Sequence, residues 1–246
     1  MVVELLHRTS SAVLTVLVVG LVGWAVRLFE HQHPARKAAV ASAIFLVVEA
    51  LVGAALVKLD LVVHNASTAR GVWMAVHLVN TFALLGSLAL TVYFARPVAV
   101  PLRRLSPPIL AVLVGAFAST LLVGATGAVA ALGDTLFPAA SLAAGMASEL
   151  DSAAHIFLKI RVWHPVAAVL VGGYLVATVL FLPSLQSAQT RLPGRFLVAT
   201  VGIQIALGCL NLVLLAPIAM QLVHLLAADA VWIALVVFAA AAWERT

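Results

Sequence analysis

Four histidines each lie just inside the start of an apolar stretch: His7 in ELLHRTSSAVLTVLVVG, His77 in RGVWMAVHLVNTFALLG, His164 in KIRVWHPVAAVLVGG and His224 in AMQLVHLLAADAVWIAL. An imidazole in an apolar span costs free energy unless it has a partner or a task. In its neutral form it binds iron through one ring nitrogen. Two such helices side by side, with histidines at equal depth, can clamp one heme between them, as helix-bundle cores commonly do. Interhelical hydrogen bonding or a proton path explains any single membrane histidine equally well. Four that share depth and direction favour two pairs of axial ligands.

The elements that must carry them follow from composition. Of 246 residues, 64% are hydrophobic and 9% charged, against about a quarter charged in soluble domains. Such a chain belongs in lipid. The net charge of +5 is spread over short loops and is no nucleic-acid footprint. The single Cys209 excludes an intramolecular disulfide and a cysteine-rich metal site. Glu4, His7 and Arg8 stand where a signal peptide would have a basic segment before a short apolar core, so none is expected. Apolar runs at roughly 8–26, 38–57, 71–95, 107–131, 155–182, 195–215 and 218–243 predict seven spanning helices. Their apolar character is continuous rather than alternating, which excludes a β-barrel.

Nine of the fourteen basic residues fall on one side of this arrangement: Arg27, Arg36, Lys37, Arg96, Arg103, Arg104, Arg191, Arg195 and Arg245. The positive-inside rule makes that side cytoplasmic and places the N-terminus outside and the C-terminus inside. The long loop from about Ala131 to Ala154 then lies outside, with Asp134, Glu149 and Asp151 and no basic residue. All four histidine helices run from outside to inside, and each histidine is within about two turns of the outer end. The three helices running the other way carry none. A weak internal repeat supports two related halves. VEALVGAAL (48–56) resembles IQIALGCLN (203–211), with Glu49 and Gln204 each four residues before a glycine and each followed by a Val-His-Leu helix. The second half opens with a helix, 107–131, that has no counterpart in the first, which suggests a missing N-terminal helix.

These segments resemble a known family, the heme A synthases of cytochrome oxidase assembly. ELLHR at 4–8 resembles their Glu-x-x-His-Arg signature, and VEALVGAALV their Gln-x-x-x-Gly-Ala-x-Val stretch with Glu49 in place of Gln. AVHLVNTFA, VGATGAVAALGDTLFP, WHPVAAVL and LVHLLAADAV resemble further family segments in the same order, so the likeness covers nearly the whole chain. The resemblance implies an all-α membrane protein with two pseudo-twofold-related helix bundles. Residues 1–100 would form the half for substrate heme O, flanked by His7 and His77. Residues 101–246 would form a four-helix bundle in which His164 and His224 hold a resident heme b. It further implies an oxidoreductase that converts the C8 methyl of heme O stepwise to a formyl group, yielding heme A, with Glu4 as the catalytic acid. The implied setting is a prokaryotic plasma membrane, with a heme O synthase and an electron acceptor as partners; self-association stays open. Three departures are notable. Seven spans stand where the family has eight, the family's loop cysteines are absent, and Pro165 follows His164 where Arg is common, with Arg161 one turn back to supply the charge.

The remaining polar residues have competing readings. Glu4 shares a helix face with His7 and could serve proton transfer or simply complement the helix dipole. Arg8, Lys159 and Arg161 could pair heme propionates or reach to lipid headgroups. Glu49, inside a helix, could contact a heme edge, gate a proton or bridge helices. His155 is expected as a helix cap and His64 as a surface residue, and His31 and His33 lack further ligands for a metal. A heme-free transporter would show broken helices with midplane charges, of which the sequence gives little sign. The rivals that keep the histidines are a membrane cytochrome b and a heme-handling assembly factor. Glu4 separates them from the enzyme, because an electron carrier needs no acid beside a ligand.

Overall fold

The computed structural model describes residues 2–62, 65–96 and 104–244, with side chains from residue 5 on. It has eight α-helices among these residues: α1 (Val2–Leu28), α2 (Pro34–Lys58), α3 (Thr68–Phe94), α4 (Pro107–Leu136), α5 (Leu142–Leu150), α6 (Ile156–Phe181), α7 (Ala188–Val213) and α8 (Ile218–Trp243). All but α5 are long and apolar enough to cross a membrane, so the chain is a multi-pass membrane protein. Small polar side chains cap the starts of three helices. Ser67 accepts from the Arg70 amide, Ser141 from that of Ala144, and Ser187 forms a capping box with Thr190. Each thereby satisfies an amide that lipid could not.

The seven spans match the predicted ones, with shifts at their ends. The segment read as one long loop, 131–154, instead holds the last turn of α4 and the short α5. Nine residues are too few for a hydropathy window tuned to spans. Helix α7 starts at Ala188, ahead of the predicted 195, and keeps Pro193 inside it. A proline there costs one hydrogen bond that neighbouring helices in lipid tolerate.

Packing repeats between the halves. α2 lies along α3 as α7 lies along α8, and α1 leans on α2 as α6 leans on α7. In the second half α4 packs along α6 and touches α8, closing a ring of four helices. Among the described residues no helix takes the equivalent place beside α1. The repeat extends to single hydrogen bonds. At the end of α2 the Leu61 amide reaches the Leu56 carbonyl at 2.9 Å. At the end of α7 the Ala216 amide reaches the Asn211 carbonyl at 2.8 Å. Both are the outer bond of a Schellman-type end, in the same register as the Glu49–Gln204 match. Asp60 and Leu215 accordingly take left-handed φ values of 53° and 60°.

The halves meet through α3, which packs on α4 and α8. The Trp232 indole of α8 stacks on Phe82 of α3 with centroids 5.0 Å apart and donates to the Phe82 carbonyl at 2.5 Å. At the end away from the histidines, Arg96 after α3 pairs with Glu244 after α8 at 2.5 Å. The largest buried cluster (Leu113, Leu175, Leu197, Val201, Leu235, Phe238) also fills that end of the four-helix ring.

Candidate functional site

His164 on α6 and His224 on α8 occupy opposite corners of the four-helix ring, since α6 and α8 each pack on α7 rather than along each other. Each imidazole is seated against a glycine of a neighbouring helix. A Cβ on Gly127 of α4 would lie 2.9 Å from His164 Cε1, and one on Gly208 of α7 would lie 3.0 Å from His224 Cε1. Any larger residue at either place would displace the ring. Thr126 Oγ1 is 3.3 Å from His164 Nδ1, and the Gln204 amide nitrogen is 3.3 Å from His224 Nε2.

At the level of these rings the protein's own side chains do not bury one another. No residue is buried on α4 between Thr120 and Val129, on α6 between Arg161 and Gly172, on α7 after Val201, or on α8 before Val231. Four polar atoms on these stretches, His224 Nδ1, Gln204 Oε1, Asn211 Oδ1 and Asp229 Oδ1, are shielded from solvent without a hydrogen-bond partner. Unpaired polar atoms are costly in lipid, so they mark a place suited to a polar or metal-bearing group. Two imidazoles at opposite corners, two glycine seats and a level left open by the core together fit a bis-histidine heme.

The first half has the equivalent second member. His77 Nδ1 lies 3.5 Å from Oε1 of Glu49 on α2; Glu49 holds the register of Gln204, which instead meets His224 at the other ring nitrogen, Nε2. Glu49 receives hydrogen bonds from Asn80 Nδ2 at 2.5 Å and from the Thr81 hydroxyl. It therefore bridges α2 and α3, one of the roles open to it from the sequence. His7 is exposed on α1. α1 and α3 flank α2 without packing along one another, as α6 and α8 flank α7. The Glu4 backbone belongs to α1; its side chain, like His64, Arg103 and Arg245, lies outside the described residues.

The other charged candidates are engaged locally. Arg161, only 8% exposed, donates from Nε to Glu149 at 2.5 Å and from Nη1 to Asp134 at 3.0 Å. This ties α5 and the end of α4 to α6. Lys159 donates to the Ser152 carbonyl at 3.0 Å and borders a groove of about 360 Å³ between α4 and α6 that Thr126 and Trp163 also line. Arg8 is exposed on α1. His155 caps α6 by accepting from the Phe157 amide, and His33 caps α2 by accepting from that of Ala35. Sequence reading overlooked the glycine seats, Thr126, and the Asn80 and Thr81 donors. Gly208 carried a signal, since it aligns with Gly53 in the repeat; Gly127 sat unnoticed in a stretch read as close helix packing.

The chain matches the family model described as cytochrome oxidase assembly protein over residues 1–236. It is 40% identical over 245 residues to a protoheme IX farnesyltransferase of Thermus thermophilus. It is 39% identical over 245 residues to the protein of the same name from a second strain. Each match covers 99% of this chain but only 40% of the relative's length. No solved structure matches it. With the family matched over nearly the whole chain and the histidine helices packed in two repeating halves, the chain belongs to the COX15-CtaA family of cytochrome oxidase assembly proteins.

Proposed function

We propose that the chain is a heme A synthase-like oxidoreductase, oxidising the C8 methyl of heme O to a formyl group. The observation that carries this reading is the His164–His224 pair, held at opposite corners of the ring against Gly127 and Gly208. These two histidines would hold heme b. When bound, it supplies a one-electron relay inside the membrane. His7 and His77 would flank the substrate heme. Glu4, one helical turn before His7, would take up protons released as the methyl is oxidised. The apolar spans exclude bulk water from both levels, which strengthens the fields of the few polar groups present.

A second reading comes from the relatives' name. They are called protoheme IX farnesyltransferases, and this chain spans 40% of their length. On that reading the segment serves a heme-modifying polypeptide whose transferase part lies elsewhere, and heme is the substrate class common to both readings. Co-expression with a heme O supplier, followed by chromatography of extracted hemes, separates them. Heme A appearing only when this chain is present supports the oxidase. Heme O alone, with heme bound to the purified chain, favours a carrier or an accessory role.

A further inference from the structure

We propose that Glu49 is a positioning residue for His77 and that the Glu49–Gln204 difference sets a redox bias between the two halves; this rests on the heme reading above. Glu49 and Gln204 hold the same register on α2 and α7, and each stands beside the histidine of the next helix, at 3.5 Å and 3.3 Å. One is a carboxylic acid side chain, the other a neutral amide. Glu49 is also fixed in place. Oε2 is held by Asn80, which itself donates to the Phe45 carbonyl at 2.9 Å, and Oε1 is held by Thr81. Swinging it away would leave one Asn80 N–H unpaired within a spanning segment, while the Thr81 hydroxyl would keep only the His77 carbonyl at 2.9 Å. His77 Nδ1 is shielded from solvent and makes no closer hydrogen bond, so Glu49 is the polar group beside it.

A carboxylate next to one ring nitrogen favours the proton there, leaves the other nitrogen free for iron, and makes the imidazole a stronger donor. A negative charge at this position would act in a low dielectric and stabilise ferric over ferrous iron. Gln204, which meets His224 at Nε2 rather than Nδ1, brings no such charge to it. Iron held at His77 would therefore have the lower potential, and iron held at His224 would be the one to accept an electron from it, with no bond made or broken.

The test is a potentiometric titration of the purified full chain loaded with hemin, followed by absorption and electron paramagnetic resonance. His77→Ala and His224→Ala assign the two components. Glu49→Gln preserves side-chain size and an acceptor for Asn80. It should raise the ferrous-to-ferric ratio of the His77 component about tenfold, a shift of about 59 mV, and leave the His224 component in place. Gln204→Glu should shift the His224 component downward. Hemes bound at both histidines with neither component displaced by these exchanges would overturn the proposal. If Glu49→Gln loses the His77 component altogether, the Gln204→Glu result decides in the same way. If no hemin is taken up, or if uptake ignores both histidine variants, the heme reading itself fails and the proposal with it.

Discussion

His224, a proposed heme ligand, is seated where its neighbour has no side chain. Gly208 leaves the ring room that a Cβ would take, whereas Gly53, its counterpart in the first half, has nothing within 4 Å. Gly208→Val should therefore weaken heme retention by roughly 10–100-fold, read as loss of the reduced b-type spectrum at unchanged protein level. Gly53→Val should leave that spectrum intact. An equal effect at both positions would mean that the glycine seat is not what positions the ring. The proposed catalytic role of Glu4 gives a different signature. Glu4→Ala should keep bound heme and abolish heme A in the extracted pigments, and continued conversion would end that assignment.

Among the described elements, α5 is tied to the bundle by charge. Its Glu149 and the α4 residue Asp134 converge on Arg161, a buried cation on the helix that carries His164. Removing one partner of a buried ion cluster leaves the others uncompensated, at about 3 kcal/mol. Arg161→Met should lower the unfolding midpoint in detergent, and adding Asp134→Asn and Glu149→Gln should restore much of it. A stable single variant would show that the cluster contributes little. The ends of α2 and α7 add a second lesson. Leu215 accepts a left-handed conformation that costs a non-glycine residue roughly 1–2 kcal/mol, because the chain must turn there into the helix bearing His224.

The whole molecule is two unequal repeats joined at the α3–α8 seam by the Phe82–Trp232 stack and the Arg96–Glu244 pair. We propose that the histidine end faces outward across a plasma membrane, from the distribution of basic residues. The chain has one cysteine, so Cys209→Ser provides a clean background for labelling. Ser152→Cys, near the histidine end, should react with an impermeant maleimide in intact cells. Gln186→Cys, in the turn between α6 and α7, should react only after permeabilisation. The reverse pattern would invert the topology.

Seven spans, and the place of each of the four histidines within the first ten residues of its helix, are legible in the sequence. Hydropathy over a window and position along a helix are local properties of the chain. The Glu49–Gln204 repeat was legible for the same reason, as a match of short segments. Which helices are neighbours, and how each is rotated about its axis, are not local properties. Only the packed structure places Gly127 under His164, aims Glu49 at His77 across two helices, and gathers Asp134 and Glu149 around Arg161. Each of those contacts needs side chains from different helices to arrive together. In lipid that choice is made by close packing and polar pairing between helices, because hydrophobicity no longer distinguishes one apolar face from another.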